Sequence, residues 1–170
     1  MTLSVCILQR NMRYETVLVH AQRLWDKHPE TAAATSGFAE LAKEVGLGAL
    51  LDWKNQDSLA TLGDLVRLLK DAAVESENDL RAWLDDADHM RRLRRIWGIG
   101  DKTGEFIRLR CGSPDAVAVD RRLRHMLDEV GVHAAGFWDR HRVISDAAGL
   151  LGVSPAILEE SIWTHMRRRS

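Results

Sequence analysis

Apolar residues recur along this chain every three or four positions, and no stretch alternates as a half-buried strand would. Val5, Leu8, Met12, Val17, Leu18, Ala21, Leu24 and Trp25 predict one long or two abutting helices, ended at His28-Pro29. A second helix is predicted over about Gly37–Val45, stopping at Gly46-Leu47-Gly48. A third starts near Asp57-Ser58 and carries Leu59, Leu62, Leu65, Val66 and Leu69 on one face. Shorter periodic segments cover Glu77–Leu84 and Asp88–Ile96. Beyond Gly98 and Gly100 a helix runs from Asp101 to Cys111-Gly112-Ser113-Pro114, and further helices fill Asp120–Val130, Phe137–Leu151 and Pro155–Arg168. Ser154-Pro155 reads as a capping serine followed by proline in the first helical position. The expectation is an all-α protein with short connections and no internal repeat.

Composition narrows this picture. With 170 residues and 45% hydrophobic content, the chain can build a core without disulfides. No apolar run is long enough to span a bilayer, and Arg10 and Arg13 break the opening run too early for a secretory signal. Cys6 and Cys111 are the only cysteines, which suits a reducing cytosol and small buried side chains. Most of the six tryptophans are expected to anchor the core.

Net charge is −1, but it is unevenly spread. Residues 1–88 carry 9 Lys/Arg against 15 Asp/Glu, whereas residues 89–170 carry 15 against 10. A cationic second half is where a phosphate backbone would be accommodated, although the same arginines also suit a solvated face.

Candidate chemistry concentrates in residues 93–127. Gly98 and Gly100 flank Ile99, allowing a tight hairpin with positive φ, Ile99 inward and the glycine amides outward. A helix starts immediately afterwards, so unpaired N–H groups converge there as a potential phosphate site. Lys102 falls in the first turn, where a cation opposes the macrodipole by some tenths to about 1 kcal/mol. It suits either a phosphate clamp or a nucleophilic amine. Asp120 follows the apolar run Ala116–Val119 and precedes Arg121-Arg122-Leu123-Arg124. It suits either a helix N-cap or a carboxylate kept ionised to stabilise a developing cation.

The hairpin Gly98-Ile99-Gly100, then Asp101-Lys102-Thr103, then Val119-Asp120 with the aspartate 18 residues after the lysine, resembles the helix-hairpin-helix DNA glycosylases. This is the superfamily of endonuclease III, the adenine glycosylase and the oxoguanine glycosylases. The resemblance implies one glycosylase domain over residues 1–170, with its hairpin motif at about 89–111, its aspartate region at 116–130 and a cleft between two helical lobes. It implies Lys102 as Schiff-base nucleophile and Asp120 as catalytic acid, in a glycosylase with β-elimination lyase activity. The partner would be double-stranded DNA carrying a damaged or modified base, met by a cytoplasmic monomer that is nucleoid-associated if bacterial, with no membrane role.

On the same resemblance, Gly98, Ile99, Gly100, Thr103, Arg95, Arg121 and Arg122 would meet DNA. Asn11, with Gln9 as second choice, would fill the space left by an extruded base. Asn55 and Gln56, within Trp53-Lys54-Asn55-Gln56, would lie on a loop against the opposite strand, and Ile162–His165 resembles a late helix of the fold. A monovalent cation could bridge hairpin carbonyls and phosphate.

The chain departs from the family pattern in several places. It has no four cysteines to hold an iron–sulfur cluster. Arg122 stands where many members have histidine, Asp101 puts an acid in the phosphate-facing turn, and the helix that precedes the first barrel helix in many relatives is missing. Three alternatives follow: a non-catalytic DNA-binding module, a monofunctional glycosylase in which Asp120 works through water, and a helical protein-interaction domain. The base recognised is not legible.

Overall fold

The computed structural model describes residues 2–9, 12 and 14–168. They form α1 (Thr2–Leu8), α2 (Tyr14–Lys27), a 3₁₀ turn (Thr31–Ala33), α3 (Thr35–Val45), α4 (Leu47–Leu51), α5 (Gln56–Asp71), α6 (Glu77–Leu84), α7 (Ala87–Arg94), α8 (Asp101–Arg110), α9 (Arg121–Glu129), α10 (Phe137–Leu151) and α11 (Pro155–Arg168). No strand occurs among the described residues, so the protein is all-α. None of the described helices is long and apolar enough to cross a membrane. The chain divides into two compact units, residues 1–99 and 100–170.

In the first unit α5 is the central element. Its apolar stripe, Leu59, Leu62, Leu65, Val66 and Leu69, is buried and packs against α1, α3 and α4. Asn55 caps it by accepting from Ser58 N at 2.8 Å. The first apolar segment is two helices, α1 and α2, which supply Val5, Ile7 and Leu8, then Val17, Ala21 and Leu24, to the core. α6 and α7 pack together, each started by a side-chain cap, from Ser76 and Asp86 respectively.

Helix α4 lies where the sequence reading predicts a stop. Gly46, with φ of +84°, does end α3, but Gly48 continues as helix. A β-carbon on Gly48 would stand 3.2 Å from Trp53 O and 3.3 Å from Leu59 Cδ1, so close packing requires glycine there.

In the second unit Val117, Val119, Leu123, Leu127 and Ile144 form the core, and Leu158 and Ile162 of α11 pack onto it. Gly152, with φ of +68°, ends α10. Ser154 Oγ then accepts from Ile157 N at 3.3 Å, so serine and proline start α11 as expected. The Ala156 N–H donates to Pro114 O at 3.0 Å, which pins the first turn of α11 to the α8–α9 connection.

The tryptophans depart from expectation. Only Trp53 and Trp83 are buried; Trp25, Trp97 and Trp138 are exposed and Trp163 is half-buried. Aromatic area favours burial, but large rings on the outer faces of helices have no facing element to cover them.

Candidate active site

The hairpin is built by a tightening of the chain after α7. Arg95 N donates to Arg92 O, Ile96 N to Leu93 O and Ile99 N to Ile96 O, each at 3.0–3.1 Å. Gly98 turns the chain with φ of +85°, and Ile99 is buried, as the sequence requires of a hairpin with one inward residue. The Thr61 hydroxyl, fully buried on α5, lies 3.0 Å from Trp97 O and 2.8 Å from Asp57 O, so its one proton is shared between helix and hairpin. Trp97 itself is 61% exposed.

Gly100 differs from expectation. Its φ is −92° with ψ of −171°, an extended conformation open to any residue, and nothing lies within 4 Å of a β-carbon built there. Only Gly98 needs the left-handed region. Gly100 is the N-cap of α8, and having no side chain it lays no oxygen over the first-turn N–H groups. Asp101 opens that turn with a charge that suits the dipole. Lys102 follows, half-buried, with Nζ 4.8 Å from the centre of the Phe106 ring one turn on.

Asp120 is placed by the segment before it. Ala116, Val117, Ala118 and Val119 are all buried, so the run is held in the core and delivers Asp120 at its edge. There its Oδ1 accepts from Arg122 N at 2.8 Å and Leu123 N at 2.9 Å, capping α9. The capping role weighed from sequence is therefore real. The two bonds also hold the carboxylate in a fixed position.

Glu159 is the residue that sequence reasoning missed. It sits on α11, 5% exposed, and no hydrogen bond or ion pair reaches its carboxylate from the described residues. Burial, chiefly, and repulsion from Asp120 and Glu160 push its carboxyl up to about 7, against the pull of Lys102. Lys102 and Asp120 thus act on one buried side chain, and three helices contribute one ionisable group each. A signal for it existed: Glu159 is three and seven residues before Ile162 and Met166, which puts it on the inward face of α11.

A second buried charge cluster lies in the same unit. Arg108 Nη1 donates to Glu105 Oε2 at 3.1 Å, and Nη2 donates to Asp115 at 2.7 and 2.9 Å. Burial opposes the charge on Arg108, but its bonds to Asp115 and Glu105 outweigh this and hold it above its ordinary value. Burial likewise pushes Asp115 up, and Arg108 more than reverses it.

The remaining expected residues are distributed as follows. Arg95 is exposed at the end of α7, where Arg91 pairs with Asp88. Asn55 and Gln56 are exposed, but Asn55 is engaged as the cap of α5, and Gln56 Nε2 donates to Lys54 O at 3.3 Å. Thr103 is half-buried in the first turn of α8, and Arg121 is exposed. Arg122 stacks on Trp163, 5.2 Å from the ring centre, with Arg167 5.4 Å from the same ring. Gln9 is half-buried with Oε1 buried and unbonded, and Asn11 lies outside the described residues.

The chain matches no family model, no curated protein and no solved structure.

Proposed function

We propose that this chain is a DNA base-excision glycosylase of the helix-hairpin-helix kind, with β-elimination lyase activity, acting on duplex DNA that carries a damaged or modified base. One observation carries this reading. Lys102 and Asp120, in the register of the lysine-bearing glycosylases, both act electrostatically on a single buried carboxylate in the second unit. An amine at one helix start and a carboxylate at the next are the two groups this chemistry needs.

In this reading the amides at the start of α8, together with Gly98 and Gly100, hold a backbone phosphate, aided by arginines of the 91–95 and 121–124 runs. The target nucleotide turns out of the duplex at a cost of a few kcal/mol, least for a mispaired or damaged base. Asp120 stabilises the positive charge that grows on the sugar as the bond to the base breaks. The neutral amine of Lys102 attacks C1′ and forms an imine, from which β-elimination cuts the strand. The family's iron–sulfur cluster has no ligands here and no step requires it.

The test is a panel of duplexes bearing different lesions, incubated with protein and borohydride, with Lys102→Gln alongside. A trapped complex on at least one duplex, absent from the variant, is the expected result. Trapping that survives Lys102→Gln would remove the Schiff-base role. The capping bonds of Asp120 favour a second reading, a DNA-binding module in which Asp120 is structural and Lys102 only meets phosphate. There, binding would persist with no excision and no trapping on any duplex.

A further inference from the structure

A lysine ammonium has no lone pair, so a nucleophilic Lys102 must first lose a proton, and the group that receives it has to lie close by. Asp120 is ill suited, because its Oδ1 accepts two backbone bonds that favour the ionised form. Glu159 has none of these ties. It is buried without a bonded partner on a helix whose first turn is anchored to the α8–α9 connection. Its neighbours Leu158 and Ile162 pack on the cluster containing Val119, the residue before Asp120.

We propose that Glu159 is the proton-holding partner of Lys102, taking the ammonium proton before the amine attacks C1′ and returning it when the imine forms. This inference rests on the glycosylase reading above. At an abasic-site aldehyde the steps balance. The Nζ–H bond breaks, its electron pair stays on nitrogen and Glu159 becomes neutral. The amine adds to C1′ to give a carbinolamine. The carbinolamine then loses its hydroxyl, which leaves as water with the proton from Glu159, giving a protonated imine and an ionised Glu159. No oxidant or metal is consumed.

The charged groups that act on Glu159 suit this role. Asp120 from α9 and Glu160 from its own helix disfavour its ionised form, while Lys102 from α8 favours it. Raised proton affinity in the carboxyl brings it closer to that of an amine, which makes the neutral acid–amine pair easier to reach. A structural glutamate in the same place would gain nothing from lacking a partner.

The experiment uses a duplex with one abasic site, so the identity of the excised base does not matter. Single-turnover trapping with cyanoborohydride is followed across pH for wild type, Lys102→Gln, Glu159→Gln and Glu159→Asp. Wild type should show an inflection near the titration of Glu159. Glu159→Gln should lose that inflection and slow by about tenfold or more at neutral pH, with part of the rate restored by Glu159→Asp. A wild-type rate and pH profile in Glu159→Gln would overturn the inference while leaving the glycosylase reading intact. Failure of the wild type to trap would overturn that reading, and the inference with it. On the free protein, carboxyl ¹³C spectra of glutamate-labelled samples should show the Glu159 midpoint moving upward in Lys102→Gln, because a cation is lost. An unmoved midpoint would uncouple the two residues and overturn the proposal without any DNA.

Discussion

Glu105 and Glu159 are both buried glutamates of the second unit, exposed at 1% and 5%, and they are treated in opposite ways. Glu105 meets Arg108 at 3.1 Å, with His141 Nε2 a further 3.6 Å from the same oxygen, and Arg108 in turn grips Asp115 with two bonds. Its charge is compensated within the fold. Glu159 has no such guanidinium, shares its surroundings with Asp120 and keeps its proton to about pH 7. Removing water from a charge costs several kcal/mol unless geometry repays it, so a fold that needs only stability pairs the charge or omits it. An unpaired carboxylate beside an amine is instead the arrangement expected where a proton has to move.

Breaking the paired cluster should have the largest effect. Arg108→Met leaves Glu105 buried without its cation and should lower unfolding free energy by about 3–5 kcal/mol, read by urea denaturation at pH 7.5. Trapping per folded molecule should not change. A loss under about 1 kcal/mol would mean that the cluster is not the structural half of the contrast.

Next comes Asp120→Asn, which keeps an oxygen for the cap but removes the charge. Excision should fall by roughly 10²–10³, with DNA binding near normal and a stability loss under about 1 kcal/mol. Unchanged excision in single-turnover assays would reduce Asp120 to a cap.

Glu159→Gln tests the unpaired half through its pH dependence. An unfolded carboxyl releases its proton near the ordinary value of 4.5, whereas folded Glu159 keeps it to about 7. Between these values the folded state binds the extra proton, so this group's contribution to stability falls as pH rises and is then constant. The variant should match wild type near pH 4 and exceed it by about 2–3 kcal/mol at pH 8. A difference independent of pH would show that Glu159 is not held in its neutral form.

The smallest effect on stability belongs to Gly100→Ala, at under about 1 kcal/mol, because φ is negative and the space beside it is open. Its affinity for every duplex, damaged or not, should nonetheless drop severalfold in binding isotherms. Normal affinity would take the hairpin amides out of the interface and remove the phosphate argument for this end of α8.

What this sequence determined by itself is local. The 3.6-residue spacing of Leu59, Leu62, Leu65, Val66 and Leu69, the Ser154-Pro155 start and the turn glycines Gly98 and Gly152 each act within a few residues, so helices and hairpin were legible. The lysine and aspartate were legible as a register of 18 residues, and the inward face of Glu159 as a spacing. Tertiary structure decided the rest, because it depends on residues far apart in the chain. Gly48 stays helical because Trp53 and Leu59 close on it, and the tryptophans are covered or left open according to what faces them. Glu159 acquires its proton affinity only when α11 folds onto α9 and carries it into the field of Asp120 and Lys102. No local pattern encodes that field, since charge interacts through space and burial alone makes the interaction strong.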